Sequence, residues 1–102
     1  MHDLIFTTEA DTDVVSAFDW YEAQQEGRGR QFVLAVDEAC DRIREAPLRH
    51  AVLVNGIRRM PTRRFPYGVF YVMRRETIHV IAVVHDSRNP AVWQQRAGDG
   101  GG

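Results

Sequence analysis

The side chains of this chain best able to move a proton are His85, which closes the run "TIHVIAVVH", and the two tyrosines of "YGVFY", Tyr67 and Tyr71. An imidazole with an unperturbed pKa near ~6.5 can serve as acid or base. General acid–base chemistry at a phosphate would need one group of each kind beside the reacting atoms. The second chemistry on offer is anion binding. The stretch "IRRMPTRRFPY", residues 57 to 67, carries Arg58, Arg59, Arg63 and Arg64. Guanidinium groups are permanently protonated, so they hold phosphates or carboxylates well and exchange protons poorly. The chain has no lysine at all. His85 has no carboxylate or thiolate companion in the pattern, so a hydrogen-bonding role ranks ahead of catalysis for it. His79 falls in step with His85 along the same run and could flank it, but two histidines alone make a poor metal site. No phosphate-cradling glycine loop, nucleophile elbow or His-Glu-x-x-His stretch is present, so no metal and no cofactor is expected.

A single small domain must position these groups. At 102 residues the chain can bury one core and little else. Its 44% hydrophobic and 26% charged content is that of a globular protein and argues against disorder. No apolar run exceeds five residues, the length of Val80 to Val84, which is too short to cross a bilayer, and "MHDLIFTTEADTD" lacks the basic flank of a secretory signal. A cytoplasmic location without membrane contact is therefore expected. The lone cysteine, Cys40, offers no internal disulfide. The formal net charge of −1 conceals a division: eleven acids face four arginines in residues 1–48, and nine arginines face two acids in residues 49–96. Such segregation implies one surface suited to anions and another to cations, unless the two halves pair with each other.

Leu4 to Thr8 reads as a short strand, and Thr8 with Asp11 as a capping box opening a helix. That helix runs through "DTDVVSAFDWYEAQQE", with Ala10, Val14, Ala17, Phe18 and Tyr21 on one stripe. Gly27 and Gly29 break it. A second helix over Arg30 to Ala46 carries Phe32, Val36, Ala39, Cys40 and Ile43 at the same spacing, with Pro47 ending it. Cys40 lies on that stripe and is read as a core residue rather than a reactive thiol. Beyond Pro47, "GIRRMPTRR", "YGVFYVM" and "TIHVIAVVH" read as three strands, the last two joined by the turn "RRE". The fold class is α+β: an N-terminal strand, an antiparallel helical hairpin, then a three-stranded antiparallel sheet, in the order β-α-α-β-β-β over residues 1–96. The tail 97–102, "AGDGGG", has nothing to bury and is expected to be disordered.

Side chains alternate along a strand, so Arg59, Pro61 and Arg63 should share one face, and Arg58, Met60, Thr62 and Arg64 the other. Met60 needs burial. Arg58 and Arg64 are thus expected to lie partly buried beside it, paired with helix acids, leaving Arg59 and Arg63 available to a partner. Pro61 suits an edge or a bulge.

Arg64, Phe65, Pro66, Tyr67, Tyr71, His85, Arg88, Pro90 and Trp93 also follow, in order and spacing, a recurrent pattern: Arg-Phe-Pro-Tyr, an aromatic strand, a β-branched strand, then His-x-x-Arg-x-Pro-x-x-Trp. In this the chain resembles the ParE/RelE superfamily of bacterial toxins. "DWYEAQQEGRGRQF" is similar to the helix, Gly-rich turn and second helix start of ParE-like members, so the resemblance spans residues 3 to 96. It implies a toxin of a type II toxin-antitoxin system, held inactive by a cognate antitoxin through helix-in-groove and strand-addition contacts. Operator DNA would be contacted only through that antitoxin. The ParE-like branch implies binding and inhibition of DNA gyrase as the activity, without catalysis. The other branch cleaves mRNA on the ribosome and places Lys at alternate positions of the strand before "FPY" and Arg after the tyrosine. This chain has Arg59, Pro61 and Gly68 there, and His85 would be its catalytic candidate under that reading. A member that binds its antitoxin but has lost toxicity is a third reading. Arg59, Arg63, Arg64, His85, Arg88 and Trp93 are the residues expected to meet a target or antitoxin.

Overall fold

The structure, a computed structural model, describes residues 2–99. Within them run β1 (Asp3–Phe6), α1 (Thr8–Gln24), α2 (Arg28–Glu45), β2 (Arg58–Pro61), β3 (Tyr67–Arg74), β4 (Thr77–His85) and α3 (Ala91–Asp99). The strands form one sheet in the order β1-β4-β3-β2, with β2, β3 and β4 antiparallel and β1 added parallel to β4. The expected α+β order is present, extended by α3.

Helix α1 is capped one residue earlier than the sequence suggested. The Thr7 hydroxyl accepts from the Ala10 amide (3.2 Å), while the Thr7 amide still donates to the Val80 carbonyl (2.9 Å) and so continues the β1 pairing. The hairpin turn is tightened by Glu22, whose two carboxylate oxygens accept from the Gly27 amide (2.9 Å) and the Gly29 amide (3.0 Å). That carboxylate supplies the acceptors α2 lacks at its start, so the helix begins at Arg28 rather than Arg30. Gly27 turns the chain at φ +86°. Gly29 lies inside α2 and lets it close on α1: a Cβ there would meet the Phe18 ring and carbonyl at 2.8 Å.

The apolar stripes of both helices pack on one face of the sheet, with Phe32, Ala39 and Ile43 against Met60, Val69, Tyr71 and Val80. Cys40 is buried among them, and burial pushes its thiol pKa up to about 11, which keeps it protonated and inert. The opposite face is covered by α3, whose Trp93 stacks on Phe70 at 4.4 Å between ring centroids, among Val72, Ala82 and Val84. This helix takes in residues 97–99, for which disorder was expected; residues 100–102 lie outside the described residues.

Two irregularities re-aim the chemistry-bearing side chains. A bulge in the β3–β4 pairing sets Phe70 opposite Ala82 and Tyr71 opposite Val80, leaving Ile81 as the extra residue. An extra residue inverts the alternation, so His79 and His85 do not share a face. His79 pairs with Val72 on the α3 side, and His85 with Tyr67 on the hairpin side. The second irregularity ends β2 at Pro61. Residues 62–66 form a loop closed by buried Thr62, whose amide donates to the Tyr67 carbonyl (2.9 Å) and whose hydroxyl donates to the Phe65 carbonyl (2.9 Å). Arg64 sits in this loop at φ +70°. The strand expected through Arg64 is therefore four residues long, and no alternation governs Arg63 or Arg64.

Candidate functional site

Each arginine of the 57–67 stretch has a distinct setting. Arg58 is half-buried as expected, but its Nε donates to the His50 carbonyl (2.8 Å) instead of pairing with a helix acid. Arg59, expected to be available, lies over Gly68 and bonds Asp86, with its guanidinium carbon 5.9 Å from the Phe70 ring centroid. Gly68 makes this path possible, since a Cβ there would meet the Arg59 Nε at 2.5 Å. Arg63 is exposed, 3.5 Å from Glu38. Arg64, expected to be partly buried, is exposed and has no ion-pair partner among the described residues, because its left-handed backbone throws the side chain outward from the loop. The settings expected for Arg59 and Arg64, one free and one engaged, are exchanged.

Arg63 and Arg64 face α2 across a cleft of about 410 Å³. Arg28 stands at its far rim, with its guanidinium carbon 4.9 Å from the Phe65 ring centroid and 5.9 Å from that of Tyr21. Leu34 and Ala35 supply an apolar wall, Gln31 a polar one. The only carboxylate lining the cleft among the described residues is Glu38, which is shared between Arg63 and Arg42 (3.6 Å). Three arginines against one divided carboxylate make the cleft net positive, so it favours a carboxylate- or phosphate-bearing occupant with an apolar side. Beneath it, Tyr21, Phe32, Phe65 and Tyr67 form an aromatic cluster with centroid separations of 4.8 to 5.4 Å for Phe32–Tyr67, Tyr21–Phe65 and Phe32–Phe65. Burial raises the pKa of both tyrosines, Tyr21 and Tyr67, so neither phenol is poised to give up its proton at neutral pH.

His85 edges the Tyr67 ring at 5.3 Å, and its Nδ1 accepts from the Ser87 amide (3.0 Å), which fixes the turn after β4. One ring nitrogen is thereby committed to a backbone bond. Arg88 is exposed close to Tyr67, whose phenol it acts on as a nearby positive charge. Arg59 projects from the α3 side of the sheet and His85 from the hairpin side. Arg59 and His85 therefore stand on opposite faces of the sheet, and the candidate proton carrier beside His85 is Tyr67. Trp93 is 9% exposed and belongs to the core under α3. His79 lines a wide groove with Leu4, Ile5 and Arg44; burial first, and Arg74 second, lower its pKa. Among the described residues no cluster of three His, Cys, Asp or Glu side chains could hold a metal ion, and no helix is long and apolar enough to cross a membrane. Arg28 was not among the expected site residues; the signal for it was its place in "GRG", where α2 begins opposite "RRF".

A family model for the ParE toxin of type II toxin-antitoxin systems, parDE, matches residues 4–90. The chain belongs to the ParE toxin family. "Toxin ParE2" of Mycobacterium tuberculosis is 35% identical over 79 residues, covering 76% of this chain and 75% of that protein, and the same holds for the protein of a second strain. A solved structure described as the chromosomal ParDE TA system from P. aeruginosa superposes with a TM-score of 0.74 over 83% of this ParE chain and 96% of that one, at 18% identity. That likeness carries the fold. The ParE fold here thus includes the hairpin, the four-stranded sheet and the 62–66 loop that holds Arg63 and Arg64 over α2.

Proposed function

We propose that this ParE toxin is neutralised by a cognate antitoxin seated in the cleft between α2 and the 62–66 loop, and that the free toxin acts by binding and inhibiting DNA gyrase. The observation that carries the first part is the cleft itself, with Arg28, Arg63 and Arg64 around an apolar wall and one shared carboxylate. An amphipathic segment bearing acids on one side and apolar anchors on the other satisfies both kinds of surface at once. Support for binding over catalysis comes from the bond that engages His85 Nδ1 and from burial of the neighbouring Tyr67 phenol, which raises its pKa. Arginine neither gives nor takes a proton, so no acid–base pair stands in the cleft.

The test has two arms. The product of the reading frame adjoining the toxin gene is co-purified with it, and charge reversal at Arg63 and Arg64 is expected to slow association and flatten its salt dependence. Free toxin is then added separately to a gyrase supercoiling assay and to a translating extract. Inhibited supercoiling with intact translation is expected. Cleaved mRNA with unaffected supercoiling would replace gyrase inhibition with the RNA-cleaving reading.

A further inference from the structure

We infer that the segment joining α2 to β2 is a second docking surface, by which the free toxin grips a folded target protein through an apolar groove rimmed with carboxylates. The inference rests on the toxin reading above, and concerns a place separate from the antitoxin cleft. Leu48, Val52 and Leu53 stand 65%, 47% and 52% exposed within six residues. Scattered exposed leucines mean little, but three large apolar side chains on one short segment concentrate exposed apolar surface there.

The segment is not slack. Its start is pinned where the buried Tyr71 hydroxyl donates to the Pro47 carbonyl (2.7 Å), its middle where Arg58 Nε donates to the His50 carbonyl (2.8 Å). Its end is an Asn55–Gly56 turn, with φ +52° and +77°, closed by the Ile57 amide on the Val54 carbonyl (2.8 Å) and the Leu53 amide on the Ile57 carbonyl (2.7 Å). The first two ties come from the sheet, Tyr71 on β3 and Arg58 on β2, and the last two close the turn on itself. The apolar side chains are held outward on a fixed backbone, so little ordering entropy is left to lose on binding.

Charge selects the occupant. Arg49 is exposed within the segment, and His50 and Arg58 lie beside it, without a carboxylate from residue 46 to residue 61. A partner must therefore offer acids around an apolar depression. A second copy of this chain fits badly. Strap against strap would oppose Arg49 to Arg49, and the exposed apolar residues of acidic α1, Val15 and Trp20, stand roughly 140° apart around the helix at about 100° per residue, so they form no single patch. The antitoxin cleft is separate: Glu38, its lining residue nearest the end of α2, and Glu45 are roughly 10 Å apart along the helix at ~1.5 Å per residue, and the strap begins beyond Glu45.

The experiment separates the two surfaces. A Val52→Asp/Leu53→Asp variant and an Arg49→Glu variant are compared with the parent for melting temperature, affinity for the antitoxin, and growth arrest when expressed without antitoxin. The expected result is unchanged melting, antitoxin affinity within about twofold of the parent, and at least about tenfold weaker arrest, as for loss of a central interface anchor. Undiminished arrest by a toxic parent's variants overturns the inference alone. So does a loss of antitoxin affinity with melting intact, which would give the strap to the antitoxin. Parent binding to phosphatidylglycerol vesicles, or concentration-dependent dimerisation, abolished in the variants would assign it to a membrane or to a second copy and overturn it as well. A parent that neither arrests growth nor binds the antitoxin refutes the toxin reading and removes this inference with it.

Discussion

Asp13 and Arg96, 83 residues apart in sequence, close the free end of the β4 edge between them. β1 pairs with β4 only as far as Val80. Beyond that point the Asp13 carboxylate on α1 accepts from the Val83 amide (2.9 Å), and Arg96 on α3 donates to the Ile81 carbonyl (3.1 Å) while gripping both Asp13 oxygens. Two side chains thus do for the edge what another strand would do, and they tie helices from opposite faces of the sheet together.

Asp13→Ala should therefore cost about 2–3 kcal/mol, because it leaves the Val83 amide and a mostly buried guanidinium unpaired together. Arg96→Met should cost less, about 1–2 kcal/mol, since Asp13 keeps its bond to Val83. Urea melts of the two single variants and the double variant would measure the coupling, and additive losses would show that the pair does not act as a unit.

What the sequence revealed and what it hid follow from range. Periodicity is local, so both helical stripes and the long strands β3 and β4 were legible, and the edge position of β2 followed from the missing amide of Pro61. Helix α3 is nine residues with a glycine next to its end, and what holds it is Trp93 on Phe70 and Arg96 on Asp13, contacts no local pattern displays. Its one local signal was Asn89 before Pro90: the Asn89 side-chain oxygen accepts from the Ala91 amide (2.9 Å) as a cap. The bulge at Ile81 and the partner of Arg59, 27 residues away, were equally out of reach, and with them the true facing of His79 and the engagement of Arg59, although alternation did place Arg59 on the face opposite Met60.

Two glycines should respond oppositely to alanine. At Gly29 the new methyl meets the Phe18 backbone and ring at 2.8 Å inside the helical hairpin, where neither can retreat, and a loss of about 2–3 kcal/mol is expected. At Gly68 it meets the Arg59 side chain, which can swing away from Asp86. That change should cost less than about 1 kcal/mol, since the pair is partly exposed. Thermal melts of the two variants would show equal losses if this difference in the neighbours' freedom were unimportant.

His79 should make stability fall in acid. Burial and Arg74 lower its folded pKa, so the unfolded chain takes up a proton first as pH drops through the ordinary histidine range. Stability from this group is complete above the unfolded pKa and declines below it, down to the lowered folded value. His79→Gln should flatten the decline in melting temperature between about pH 7.5 and about pH 5.5. An identical slope in parent and variant would assign the acid sensitivity elsewhere.

The four arginines of the 57–67 stretch divide by what holds them. Arg58→Ala removes the bond to the His50 carbonyl and should cost about 1 kcal/mol. Arg59→Ala loses a partly exposed ion pair and its cover over Phe70, for about 0.5–1 kcal/mol. Arg63→Ala touches only an exposed contact with Glu38 and should leave the melting temperature unchanged while weakening the antitoxin complex. Arg64 separates stability from binding most sharply. Its backbone is held at φ +70°, a region in which any Cβ is strained and glycine is not. Arg64→Gly should therefore raise stability by about 0.5–1 kcal/mol, through the relief of that strain, and still weaken antitoxin binding by removing one of three arginines from the cleft. A strained residue kept against stability is best explained by what its side chain does. Melting and binding measured on the same Arg64→Gly protein give the decision: a rise in both would mean that the arginine serves neither.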